Sequence, residues 1–179
     1  MTMNQNACAF TGHRPKSFPW KYNETARGCV LLKEVLAAQI TALADHGVVD
    51  FLSGMALGMD LWSAKVVLDL QKNYPAIKLR CILPCKGQET KWATAAQEQY
   101  NAILEQANEV VYVGQEYTSA CMLKRNHYLV DHASILLAVY NGVQRSGTGA
   151  TVNYARKLGR EIIVIDPLTC AVTHREGGV

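Results

Sequence analysis

The sequence predicts an α/β fold, a single domain over residues 1–179 with one doubly wound, mainly parallel sheet of about six strands and helices on both faces. Three observations predict it. Short apolar runs alternate with longer stretches of helical period. Glycine-rich turns stand where the apolar runs end, and no linker, repeat or low-complexity segment divides the chain. A chain of 179 residues buries roughly two-thirds of the surface its unfolded form would expose, enough for one core.

Residues 7–10 form the first predicted strand. After a loop holding Pro15 and Pro19, a helix starts near Thr25, places Leu32, Leu36, Ile40 and Leu43 on one face and stops at Gly47, a natural left-handed cap. Strand two is 48–52. A helix over 60–73 buries Leu61, Ala64 and Leu68, with Pro75 just beyond its end. Strand three is 77–83, followed by a helix over 91–107 and strand four at 109–113. A helix over 122–133 runs directly into strand five at 135–140. The last unit is a helix over 147–158 and a strand over 161–165, giving six strands and five helices in a Rossmann-like arrangement.

Composition narrows the function classes. Hydrophobic residues make up 49% and charged ones 18%, which leaves no room for a long disordered tail. The net charge of +3 suits an anionic ligand but lacks the dense basic stripe of a nucleic-acid groove, so single-stranded nucleic acid is the less expected partner. Residues 1–6 are polar and uncharged, and no apolar run reaches the ~18 residues of a membrane span. The expectation is a cytoplasmic protein with no membrane partner. Six scattered cysteines without a CxxC pair read as reduced, mostly buried hydrophobes, with neither a disulfide framework nor a metal site expected.

In a doubly wound sheet the ligand lies at the carboxyl ends of the strands, so the loops after them carry the chemistry. After strand one, Thr11-Gly12-His13-Arg14-Pro15 brings backbone amides and a guanidinium to that edge. Gly12 making only a turn and Arg14 capping a carbonyl is an equal reading, and His13 reads as a hydrogen-bonding surface residue before a catalytic one. After strand two, Ser53-Gly54-Met55-Ala56-Leu57-Gly58-Met59-Asp60 places two glycines before a helix N-terminus, where backbone can approach a phosphate or ribose. Asp60 reads as the N-cap, with a ribose contact as the alternative. Trp62 reads as core packing, with shielding of a base as the alternative.

After strand five, Asn141-Gly142 leads to Arg145-Ser146-Gly147-Thr148-Gly149-Ala150-Thr151 at a second helix start. Neither loop matches GxGxxG or GxxxxGK[ST], and without that lysine an ATP-hydrolysing engine is not expected. After strand three, Gln88 and Trp92 offer an amide and an aromatic wall for a base, or simply a surface turn. On the fourth helix, Lys124, Tyr128 and Asp131 share one polar face, a solvated ladder by residue type, with Arg125 and Asn126 beside it.

These blocks together resemble the SLOG superfamily, which joins the DNA-processing protein A (DprA/Smf) and Lonely Guy (LOG) proteins, and most closely its YpsA-like branch. The resemblance rests on Thr11 to Pro15, Ser53-Gly54 through Gly58 with Trp62-Ser63-Ala64, Gln88 with Trp92, and Arg125-Asn126 with Asp131 and Ser134, and it covers nearly the whole chain. It implies a phosphate-binding geometry and, for the YpsA-like branch, a bound nucleotide, ADP-ribose or NAD-related ligand, with no cofactor required. LOG enzymes are nucleoside-monophosphate phosphoribohydrolases whose PGGxGTxxE motif supplies a glutamate. Here Asn153 stands at that place and cannot exchange a proton as a carboxylate does. Glu89 and Asp131 are the candidate substitute acids. Ligand binding or sensing is therefore the expected function, with a LOG-like hydrolase and DprA-like single-stranded DNA binding as alternatives. A homodimer suits the architecture.

Overall fold

The computed structural model describes residues 4–177. Seven strands and five helices alternate as β1 (Asn4–Gly12), α1 (Arg27–Asp45), β2 (Asp50–Ser53), α2 (Met59–Leu70), β3 (Lys78–Leu83), α3 (Thr94–Gln106), β4 (Glu109–Tyr112), α4 (Cys121–Asp131), β5 (Ala133–Val139), α5 (Gly147–Lys157), β6 (Glu161–Ile165) and β7 (Val172–Arg175). One sheet holds them all in the order β4-β3-β2-β1-β5-β6-β7. Every pairing is parallel except β6 with β7.

The sheet has two buried faces, which is why its strands read as continuous apolar runs. Cys8, Phe10, Leu137, Val139, Ile163 and Ile165 point to a core shared with α1, α2 and α3. Ala7, Ala9, Leu136, Ala138 and Ile162 point the other way, beneath α4 and α5. The predicted stripe of α1 is inside, Leu32, Leu36 and Ile40 being wholly buried. Each such side chain contributes about 1.5–3 kcal/mol. The helix ends at Asp45 with His46 as its cap, and Gly47 follows with a φ of +89°, open to glycine at no steric cost.

The sheet exceeds the expected six strands by one. Residues 172–175 return antiparallel along β6, and Thr173, His174 and Arg175 are exposed there. An edge strand with only Val172 packed against the core needs no apolar run, so it left no periodic signal. Helix bounds also move: α4 stops at Asp131, which frees Ala133 and Ser134 for β5.

What positions the site is the reversal of strand order between β1 and β5. The two lie side by side with Gly12 opposite Val139 at their carboxyl ends. From β1 the chain moves to β2 on one side, and from β5 it moves to β6 on the other. Their exit loops part over the sheet and leave a crevice.

Candidate functional site

A Cβ on Gly12 would lie 2.8 Å from Cβ of Met59, so only glycine lets the start of α2 close on β1. The next amide, of His13, donates to Val139 O at 3.2 Å and extends the ladder by one residue. His13 Nε2 lies 2.7 Å from Asn141 Oδ1, an atom that also accepts the Val143 amide, so the imidazole is the donor. With the ring buried and tilted against Tyr140, His13 is not the surface residue its loop position suggests. It ties the loop after β1 to the loop after β5. Arg14 is exposed and has no ion-pair partner among the described residues.

The loop after β2 is closed by its own residues. Ser53 Oγ donates to Asp60 O at 2.9 Å and accepts the Met55 amide at 3.1 Å. Gly58, with φ of +88°, is the N-cap of α2, and a Cβ there would meet Cδ of Pro15 at 2.8 Å. Asp60 is therefore not the cap. It sits in the first turn, accepts the Ala56 amide at 3.2 Å and faces Arg125 Nη1 at 3.7 Å, with both side chains nearly inaccessible. Burial pushes the Asp60 carboxyl above its ordinary range, and Arg125, the Ala56 amide and Arg14 only partly oppose this.

Arg125 and Gln88 hold the same loop from the other side. Arg125 Nη1 donates to Gly54 O, and its Nε donates to Asn126 Oδ1 at 2.9 Å. Gln88 Nε2 reaches Met55 O at 3.1 Å and Gly54 O at 3.4 Å. A Cβ on Gly54 would lie 2.6 Å from the Arg125 guanidinium carbon. Glycine here makes room for an internal arginine.

At the start of α5, Ser146 is the N-cap, accepting the Gly149 amide at 2.9 Å and donating to Val143 O at 2.7 Å. Gly149 is hemmed in by Gln144 O, 2.5 Å from where a Cβ would stand, and Thr151 Oγ1 donates to Gly147 O at 2.9 Å. Those two residues build the turn. Gly147 instead faces open space, with nothing within 4 Å of its absent Cβ. The Gly147 and Thr148 amides precede the first intrahelical bond and point along the positive end of the helix dipole.

Two cavities lie over this edge and share Arg14, Lys16 and Met122. The smaller, about 320 Å³, is bounded by Thr11 to Arg14, Asp60, Arg125, Asn126 and Ser146 to Thr148. The larger, about 880 Å³, runs from Arg14 to Gln88 and Trp92, with Tyr22, Tyr117, Lys86 and Lys91 on its walls. Ser53, Gly54, Gly58, Asn141, Gly149 and Thr151 line neither cavity and shape the loops that do. Lys16, Tyr22, Lys86 and Tyr117 were not among the expected site residues because irregular loops carry no periodicity, and Lys91, expected to open the third helix, lies instead in the loop before α3.

The candidate acids read from the sequence line neither of these two cavities: Asp131 accepts the Tyr154 hydroxyl at 2.8 Å, and Glu89 stands between the lining residues Gln88 and Thr90 with its Oε2 buried. Asn153 accepts from Arg156 at 3.2 Å, also away from them. Trp62 donates from Nε1 to Glu24 at 3.0 Å and stacks on Phe18, so it pins the loop after β1. Among the described residues no group of three or more His, Cys, Asp or Glu is placed to hold a metal ion, and no helix is long and apolar enough to cross a membrane.

A family model described as the YspA SLOG family matches residues 8–167. The chain belongs to that family. As a YspA SLOG protein it is 34% identical over 122 residues to a UPF0398 protein of Halalkalibacterium halodurans, covering 67% of this chain and 65% of the relative. A UPF0398 protein of Bacillus pumilus is 35% identical over 136 residues, covering 74% and 72%. The SPbeta prophage-derived protein YoqJ of Bacillus subtilis is 33% identical over 151 residues, covering 76% and 88%. The YspA SLOG match spans β1 to β6 and ends before β7.

Proposed function

We propose that the chain binds or senses a nucleotide-derived ligand of the ADP-ribose or NAD type at the carboxyl edge of its sheet. The observation that supports this best is the meeting of two loops over the strand-order reversal. The open α5 N-terminus at Gly147 and Thr148 borders the same cavity as Gly12 and the unpaired Arg14. Free helix amides and a guanidinium on one cavity suit a phosphate. Trp92 and the Gln88 carbonyl oxygen, on the adjoining cavity, suit a base. The reading is tested by calorimetry with AMP, ADP-ribose and NAD⁺. Saturable binding weakened tenfold or more by Arg14→Ala is expected; absence of binding to all three overturns it.

One observation favours a second reading, hydrolysis of a nucleoside phosphate. Asp60 is the one carboxylate lining either cavity among the described residues, and burial raises its pKa, a property of general acids. Its engagement with Arg125 and the Ala56 amide leaves it poorly placed for proton exchange. Release of free base from nucleoside monophosphates, abolished by Asp60→Asn, would establish hydrolysis; no release leaves binding as the function.

A further inference from the structure

The charge of the two joined cavities specifies more than a nucleotide. Arg14, Lys16, Lys86, Lys91 and Arg125 line them, against Asp60 alone. Five cations less one carboxylate give +4, whereas the whole chain, with 18 Lys and Arg and 15 Asp and Glu, carries +3. The rest of the protein, with 13 cations and 14 carboxylates, is close to neutral. The chain's entire positive excess is gathered on these two adjoining cavities, taken together as one hollow.

Four of those cations are uncommitted. Arg14, Lys16, Lys86 and Lys91 are exposed and make no ion pair among the described residues, whereas Arg125 is held by Asp60 and Gly54. They fall into two groups. Arg14 and Lys16 stand where the cavities join, beside the α5 amides. Lys86 and Lys91 stand in the larger cavity, on the loop that also carries Trp92.

The pyrophosphate of an ADP-ribose-type ligand carries about two negative charges, which Arg14, Lys16 and the helix start already match. Lys86 and Lys91, which flank Glu89 in the chain but form no ion pair with it or with any other described residue, are left for a further anion. In dinucleotide-binding sheets an acidic side chain takes the free 2′-hydroxyl of the adenosine ribose, and a cation replaces it where that hydroxyl is phosphorylated. Here β2 ends in Ser53, and the larger cavity has no carboxylate on its lining. A base against Trp92 would bring its own ribose to the neighbouring lysines.

Resting on the nucleotide reading above, we infer that the ligand carries a phosphomonoester besides its pyrophosphate, as in a 2′-phosphorylated adenine dinucleotide, and that Lys86 and Lys91 receive it beside Trp92. A longer polyanion such as single-stranded DNA fits less well, because the chain outside the hollow carries no net positive charge.

The test is a calorimetric comparison of NADP⁺ with NAD⁺ on the full chain and on a Lys86→Ala/Lys91→Ala variant, whose exposed side chains can be removed without disturbing the core. Tighter binding of NADP⁺ by tenfold or more is expected, shrinking to within about twofold in the variant, since each opposed charge pair is removed. Equal affinities in the unaltered protein, or a preference that survives in the variant, overturn the phosphomonoester while leaving the nucleotide reading in place. Failure of both ligands to bind removes both. A single-stranded oligonucleotide that binds more tightly than NADP⁺ and displaces it also overturns the inference.

Discussion

The buried pair of Asp60 and Arg125 is the most consequential contact at the scale of single residues. Each side chain is within a tenth of complete burial, so each charge relies on the other and on backbone partners, Ala56 N–H for the carboxylate and Gly54 O for the guanidinium. Arg125→Met strands the carboxylate and is expected to cost about 3–5 kcal/mol in urea unfolding at neutral pH. Adding Asp60→Asn should restore part of that loss; a double variant as unstable as the single one would show that the pair does not act as a unit. Gly54→Ala places a methyl carbon 2.6 Å from the guanidinium carbon. Overpacking of this kind costs about 1–3 kcal/mol, visible as a lower denaturation midpoint.

At the scale of elements, the loops after β1 and β5 depend on a few local contacts. Ser146 caps α5 through the Gly149 amide, and Ser146→Ala should lower stability by about 1 kcal/mol. The same change weakens the presentation of the Gly147 and Thr148 amides, so ligand affinity should fall with it. The loop after β1 is pinned by Glu24, which accepts from Trp62 and Lys33. Burial alone would raise the Glu24 carboxyl, but the Lys33 and Trp62 hydrogen bonds outweigh it and hold it below its ordinary 4.5. A carboxyl lowered in the folded state stabilises above its unfolded value and loses that contribution as pH falls through the folded one. The advantage over Glu24→Gln should be present at neutral pH, fade below about pH 4.5 and vanish once the pH passes the lowered value. Because the pair is half exposed, solvent screening limits it to about 0.5–1 kcal/mol in denaturant curves measured along that pH series.

For the whole molecule, a ligand held only by the folded chain stabilises it by mass action. A saturating nucleotide at a hundred times its dissociation constant should raise the unfolding free energy by about 2.7 kcal/mol. Arg14→Ala, an exposed change outside the core, should leave the unliganded stability unaltered and cut that increment, as read by thermal unfolding with and without ADP-ribose. The strand order gives this dependence its physical basis. Loops from β1, β2, β3 and β5 all border the hollow, so a bound anion bridges segments far apart in sequence.

Six of the seven strands and all five α-helices were legible in the sequence by itself, because apolar runs and 3.6-residue stripes are local consequences of burial: Leu32, Leu36 and Ile40 sit inside as their spacing requires. The largely exposed β7 was not. The sequence also marked the glycine-bearing loops at the strand ends, where close approaches such as that of Met59 to Gly12 and of Arg125 to Gly54 leave no room for a side chain. Pairing between distant residues was decided only in three dimensions. Nothing in the residue type of Asp60 distinguishes a helix cap from a buried partner of Arg125, and nothing local to His13 reveals Asn141, 128 positions away. Asp131 and Glu89 matched the chemistry of an acid, yet neither lines the cavities. The gathering of Arg14, Lys16, Lys86 and Lys91 around one hollow was equally hidden, because charged loop residues have no period, and only the folding of their loops onto one sheet edge brings them together.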